Sequence, residues 1–324
     1  MLSDFINIKK TEYVNKVIEE LPNVHLEYLC ANKNITSDII SQYPNKKWNC
    51  RYLMLNPNTT LDIIKNYNMT DYDWLIASRN PNITWDFIKS NLDKPWSWMH
   101  LSKHKNITWD IITNNPTLPW DWCNISENPN ITWDIVKNNF YKPWSWYYLS
   151  CNPNITLDII MSNSGKPWDW RFVSCNPNLQ WVNIIANLDK KLCWQMISRH
   201  KNITWDIITN NLSAPWDWYA ISCNPNITWN IIKNNQEHPW CFNNLTYNPS
   251  ITWDVISKHP SIHWDYYSIQ YNQGLFNYPQ ESLYKDIKRY FAAKTIYKYW
   301  FRANTNPEYI ICKKGLKAEL NELL

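Results

Sequence analysis

Glycine is almost missing from this chain: three residues in 324, at Gly165, Gly274 and Gly315, about 1% against a usual ~7%. Phosphate-cradling loops and dinucleotide-binding turns need several glycines close together, because backbone must approach the ligand there. Three distant glycines exclude both. No apolar run approaches the ~18 residues of a membrane span, and the opening Met1–Lys10 lacks the charged, apolar and small-residue order of a secretory signal. CxxC pairs are also absent. The nine cysteines stand singly at 30, 50, 123, 151, 175, 193, 223, 241 and 312. Reduced, metal-free thiols in a cytosol-like compartment are expected.

Charge of one sign is scarce over most of the length. Residues 281–324 hold nine Lys/Arg against five Asp/Glu, and the remaining chain holds 23 of each. A neutral body with a basic tail gives little for a phosphate backbone to hold.

What is abundant is tryptophan, with 23 residues, and a recurring phrase, Asn-Pro-Asn-Ile-Thr-Trp-Asp-Ile. Its first position falls at 32, 56, 80, 104, 128, 152, 176, 200, 224, 248 and 272, a spacing of 24 without an insertion. Asn fills that position except at His104 and His200, where Lys105 and Lys201 replace the usual Pro. A second phrase, Pro-Trp-Asp/Ser-Trp, keeps the same period at Pro95, Pro119, Pro143, Pro167, Pro215 and Pro239. A fixed period of this size marks a stacked repeat array.

Each unit reads as two short helices. In the copy from Asn80, Thr84 suits an N-cap and Asp86 the positive first turn. Ile83 and Ile88 have the spacing of a hydrophobic staple, and Asn91 suits a left-handed stop. Pro95 suits the first turn of the second helix, which runs to Ser102. Helices of about two turns do not survive alone, so each must bury a face on its neighbours. Twenty-two tryptophans fall at three repeat positions: after the cap (85, 109, 133, 181, 205, 229, 253), first in the second phrase (48, 96, 120, 144, 168, 216, 240, 264) and third in it (74, 98, 122, 146, 170, 194, 218). They read as ladders between units. Eight Asn-x-Ser/Thr sequons, from Asn34 to Asn226, share one repeat position and read as loop-satisfying amides rather than glycosylation sites.

The pattern Leu149-Ser150-Cys151-Asn152-Pro153, then Thr156 and Ile159-Ile160, resembles the leucine-rich-variant repeat. That resemblance implies alternating α and 3-10 helices in a right-handed superhelix. Thr here lies one residue further from Asn, and Trp or Leu stands where that family often has Pro. The family's iron–sulfur cysteines have no counterpart near this N-terminus, so no cluster is implied. The wording of the repeat, with the tail Asn306-Pro-Glu-Tyr-Ile-Ile-Cys-Lys-Lys-Gly, is similar to repeat proteins of giant amoeba-infecting viruses of the mimivirus kind. It implies a viral source, and with it the host cytoplasm or the virion.

Chemistry is hard to assemble from rows of one residue type, since catalysis needs unlike groups converging on one cleft. The aspartates repeat at one helix-start position. His259 and His263 straddle Pro260 without a third ligand, and Cys151, Cys175 and Cys223, at one repeat position, are expected about a helix diameter, ~10 Å, apart, too far to bridge. Two positions vary instead. One reads Arg51, Leu75, Met99, Cys123, Tyr147, Arg171, Gln195, Tyr219, Asn243, Tyr267; the other reads Arg79, Lys103, Glu127, Cys151, Cys175, Arg199, Cys223, Tyr247. Freedom in size and charge points to solvent-facing positions, and repeat arrays bind partners on such faces. The candidate protein-binding residues are Arg51, Met99, Tyr147, Arg171, Tyr219, Tyr267, Arg79, Lys103 and Arg199.

The expectation is thus an all-α chain: an N-terminal helical cap over 1–23, an α-solenoid of ten to eleven units over 24–274, and a basic amphipathic cap or tail over 275–324. Stacked at ~10 Å per layer, the array would extend about 100 Å. The expected function is a non-enzymatic scaffold for protein–protein interaction, without cofactor, metal or membrane span. A helical-repeat nucleic-acid reader and a structural virion component are the alternatives, and the neutral array makes nucleic acid the weaker one.

Overall fold

The computed structural model describes residues 2–21, 28–43, 45, 49–66, 69–269 and 272–305. Every regular element among them is a helix, and the chain falls into two compact units: Leu21–Leu275, and Met1–Glu20 together with Phe276–Leu324. The smaller unit is built on two helices, Leu2–Glu20 and Gln280–Thr305. These come from opposite ends of the chain and pack on each other, with the Phe5 ring 4.8 Å from Tyr290 and Tyr13 edge-on to Tyr278 at 5.3 Å. The Tyr278 hydroxyl donates to Asp286.

The larger unit is an α-solenoid, as the period requires. In the copy from Asn128 the first helix is Trp133–Asn138 and the second Trp146–Ser150. Thr132 caps the first by accepting the Ile135 N–H, and Thr36, Thr84, Thr108, Thr156, Thr204 and Thr228 do the same in their copies. The staple residues Ile83 and Ile88 are fully buried. Second helices are α from Asp71–Ala77 onward and 3-10 at Tyr28–Ala31 and Cys50–Leu55, so both helix types occur.

Two local expectations need correction. The second helix begins at Trp98, Trp122 or Trp146 rather than at the proline, because the Asp or Ser of the second phrase is its N-cap: Asp121 accepts from Asn124 N–H at 2.8 Å and Asp217 from Ala220 N–H at 2.9 Å. Pro95 and Trp96 lie in the extended approach. Nor does the first helix stop in the left-handed region, since no described residue has positive φ. Asn91, Asn115 and Asn139 instead turn their own side-chain amides back onto the carbonyl four residues earlier, at 2.7–2.8 Å. The following indole N–H, from Trp96, Trp120 or Trp144, then takes each of those asparagines' carbonyls at 2.8 Å.

Between units, one side chain does most of the polar work. The first asparagine of each copy is buried and donates to the same residue's carbonyl one copy earlier: Asn56 to Asn32, Asn80 to Asn56, and so on to Asn272 on Asn248. His104 and His200 hold the same rung through Nε2. Asn32 completes the series by donating to Asn272 O at 3.2 Å, in the same register. Within this unit the ladder of eleven rungs, each 2.9–3.3 Å, therefore returns to its own start. An extended rod of about 100 Å is ruled out, because first and last rungs are in hydrogen-bond contact.

The reason lies in unequal packing. Second helices sit directly on their counterparts, Trp98–Ser102 on Trp122–Glu127 and that on Trp146–Ser150. Towards the first helices the space between units is filled by indoles. Trp109 stacks on Trp144 at 5.7 Å while Trp122 meets the same ring edge-on at 5.2 Å, and Trp133, Trp146 and Trp168 repeat the trio. A wedge-shaped unit bends the array towards the second helices at every step. Of the two described glycines, Gly274 is the one a close approach demands: a Cβ there would run into the Pro249 carbonyl.

Candidate interaction face

The first variable position lies on the outward side of the second helices, the inner side of the bend. Arg51, Leu75, Met99, Cys123, Tyr147, Arg171, Gln195, Tyr219 and Asn243 are all exposed. The side chain of Tyr267 lies outside the described residues, as do Trp48 and residues 306–324. Residues three places before the rung are buried instead, from Ile125 and Leu149 to Ile221, and each following serine is buried too. Those serines bind across the unit boundary: Ser102, Ser126 and Ser150 accept the N–H of Asp121, Ser145 and Asp169 at 2.9 Å. These boundary bonds are made by recurrent serines and do not use the side chains of the first variable position.

The candidate residues are not equally free. Arg51 donates to Asp73 at 3.0 Å and lies over the Tyr72 ring. Asp73 is almost fully buried. Burial alone would raise its carboxyl, but hydrogen bonds from Thr70 and the Arg51 charge outweigh it and hold the carboxyl below the usual carboxylate range. Arg171 clamps its own N-cap, Asp169, at 2.6 and 3.2 Å, which lowers that carboxyl. Tyr147 rests against Tyr148 and Phe172 of the next unit. Met99 and Tyr219 stand open at 49% and 58% exposure. Ion pairs thus hold the row at Arg51 and Arg171, with Leu75, Met99, Cys123 and Tyr147 between them.

The second variable position lies at the end of the second helices. Here the structure brings candidates together. Arg79 and Lys103 line one cavity of about 390 Å³ with His100, Lys105 and Glu127. Arg199 lines another of about 400 Å³ with Lys201, His200 and Cys175. Sequence reasoning left out Lys105, Lys201 and His100, although the Pro-to-Lys departures beside His104 and His200 marked the place. Lys103 pairs with Glu127 at 3.2 Å. Burial, then the nearby Arg79 and Lys103 charges, push the His100 imidazole below its ordinary value.

Two thiols at this position, Cys151 and Cys175, stand closer than a helix diameter. The interaction of the two thiols, with burial, drives the Cys151 thiol up, and against burial it lowers Cys175, while each Sγ donates to a carbonyl of its own helix, Cys151 to Tyr148 O and Cys175 to Phe172 O. The close stacking of second helices explains why the ~10 Å expectation fails. The sequon asparagines are engaged as well: Asn82 Nδ2 donates to Pro57 O at 2.8 Å and Thr59 O at 3.0 Å, and Asn130 and Asn154 repeat this. An N-linked glycan would replace one Nδ2 hydrogen and so break one of the two bonds.

A further cavity, of about 570 Å³, lies elsewhere, among Leu61, Ile64, Met69, Trp74 and Phe87. Leu61, which lines it, stands where other copies have Trp. Among the described residues no group of three His, Cys, Asp or Glu is arranged to hold a metal ion, and no helix is long and apolar enough to cross a membrane. Comparison with protein-family models, with curated proteins and with solved structures finds no match for this chain.

Proposed function

We propose that the chain is a non-enzymatic repeat scaffold that binds a partner protein along the exposed row of its second helices. One observation carries the reading: the position that varies from copy to copy is exposed in every described copy, while the near-invariant residues are consumed between units. Leu75, Met99, Tyr147 and Tyr219, at 39–58% exposure, give that row the aromatic and methionine character of protein interface centres. Catalysis is not part of the reading, since polar groups recur in rows rather than converging.

A nucleic-acid reader would need a basic stripe along the row, and its only two arginines are engaged by Asp73 and Asp169. The wording of the repeat supports a giant virus as the source, and a scaffold would then act in the host cytoplasm or the virion. The test places a photo-crosslinking residue at Met99, Tyr147 or Tyr219 and, as controls, at the exposed first-helix positions Asp86, Asp134 or Asp206. In extract of the native cells, one protein adduct common to the three row positions and missing from the controls is expected. Equal labelling of both sets, no labelling, or adducts removed by nuclease overturns the reading.

A further inference from the structure

Only two of the eleven copies put His at the rung, and both change their flanks in the same way: Lys103-His104-Lys105 and Arg199-His200-Lys201, four units apart. The histidines have a structural cause, since each donates through Nε2 to the previous rung's carbonyl and accepts through Nδ1 from the N–H two residues on. The flanking cations have none of that kind. The turn is compatible with Pro, which fills the Lys105 position at Pro57, Pro81, Pro129, Pro153, Pro177, Pro225 and Pro249. A cation at a helix end is favoured by the dipole, yet the position of Lys103 and Arg199 is Glu127, Cys151, Cys175, Cys223 or Tyr247 in other copies. Neither helix nor turn requires these charges.

Both departures border a cavity. The first gathers three permanent cations, Arg79, Lys103 and Lys105, against one carboxylate, Glu127. The second gathers Arg199 and Lys201 with no carboxylate. Each lining therefore has a surplus of two positive charges in a recess of about 390 or 400 Å³. Arg79, Lys105, Arg199 and Lys201 form no ion pair among the described residues, so their charge is available to a ligand.

We infer that the two cavities are phosphate sites, each taking one phosphomonoester group carried by a protein partner. Two surplus cations match a phosphate dianion, and a guanidinium in each offers the planar, two-pronged donation that phosphate oxygens accept. A nucleic-acid backbone does not fit, because its charges are continuous and the intervening copies present Glu127-Asn128-Pro129 and Cys151-Asn152-Pro153 between the sites. Glu127 competes for Lys103 at 3.2 Å in the first site, whereas Cys223 stands at that position in the second. The second site is the tighter one. The phosphate source, though not the phosphate chemistry, rests on the scaffold reading above.

The test titrates the full chain with inorganic phosphate and with O-phosphoserine, followed by calorimetry and by ³¹P resonance, with chloride and sulfate as competitors. Two sites of unequal affinity are expected. Arg199→Gln with Lys201→Gln removes the tighter, and Arg79→Gln with Lys105→Gln removes the weaker. Glu127→Gln strengthens the weaker site severalfold. Unchanged melting curves and near-ultraviolet dichroism show that each variant still folds. No saturable phosphate binding, or binding that survives both double substitutions, overturns the inference. So does single-stranded DNA binding these residues more tightly than a doubly phosphorylated peptide. If phosphate fails while the row still crosslinks its protein, the scaffold reading stands and only the sites fall.

Discussion

A single asparagine per copy carries the polar logic of the array. Asn128 is fully buried, and its Nδ2 reaches Ser102, His104 and Ile107 carbonyls at 2.8–3.2 Å while its Oδ1 accepts from Asn130 N–H. Leaving such carbonyls unpaired costs about 1–3 kcal/mol, so few residues fit. Histidine does, but only as the neutral tautomer with the proton on Nε2, an assignment that follows from its partners. Burial, the largest cause, pushes the imidazoles of His104 and His200 below their ordinary value. A depressed folded-state value means that the neutral rings contribute stability above the unfolded value of 6.5, which is lost as pH falls through the lower folded-state range. Protonated Nδ1 would face the Asn106 N–H as a second donor. The melting temperature of the native chain should therefore drop on going from neutral to mildly acidic buffer. The double variant His104→Asn, His200→Asn restores the usual rung and should lose less over the same range. Parallel pH-dependence in the two proteins would show that the rungs are not the acid-sensitive groups.

At the scale of the helix and its neighbours, aromatic trios join the copies from Trp85 to Trp264, and one junction within that stretch lacks them. Leu157 and Leu192 stand where Trp133 and Trp168, or Trp181 and Trp216, stand in adjacent junctions, leaving Trp170 with Lys190 over its ring at 5.9 Å. An edge-to-face pair adds roughly 0.5–1.5 kcal/mol beyond area burial. Leu192→Trp should recover about that much in chemical denaturation, and amides of Trp170–Val173 and Trp194–Ser198 should exchange fastest among the native second helices from Trp98 to Ser222. Destabilisation by Leu192→Trp with unchanged exchange would mean that the site is already filled. The ladders themselves were legible in the period, since spacing alone assigns 22 tryptophans to three rows. Thr84 as cap and Ile83 with Ile88 as staple were legible too, because capping is local chemistry. The start of the second helix was not. Pro95 and Ser97 both suit helix entry, and only the hydrogen bonds distinguish first turn from cap. The stop at Asn91 was hidden for a related reason: Asn can adopt the left-handed region or bond its own helix end, and here the indole of Trp96 selects the second by taking the Asn91 carbonyl.

For the array as a whole, closure was the feature that period could not reveal. A 24-residue repeat fixes what one unit offers the next, but curvature is the small difference between spacing along the second helices and along the first. That difference depends on side-chain volumes in the indole trios, accumulated over eleven copies. The candidate cavities were half legible for the same reason: Lys105 and Lys201 stood out as departures, yet only stacking of one unit on the next brings Arg79 beside Lys103. Closure also changes what a broken rung does. In an open stack each terminal unit has one neighbour and frays independently. In a closed ladder the Asn32 rung gives the first unit a second neighbour. Fluorescent labels at Lys33 and Gln273 test this, since both are exposed and flank the closing rung. Energy transfer between them should be near its maximum in the native chain and should collapse in a cooperative step with global unfolding. Asn32→Ala, which removes the closing donor together with the Oδ1 that accepts from Asn34, should make transfer fall at a lower denaturant concentration than the tryptophan signal of the central trios. Low transfer in native buffer would place the first and last units apart and return the molecule to an extended rod.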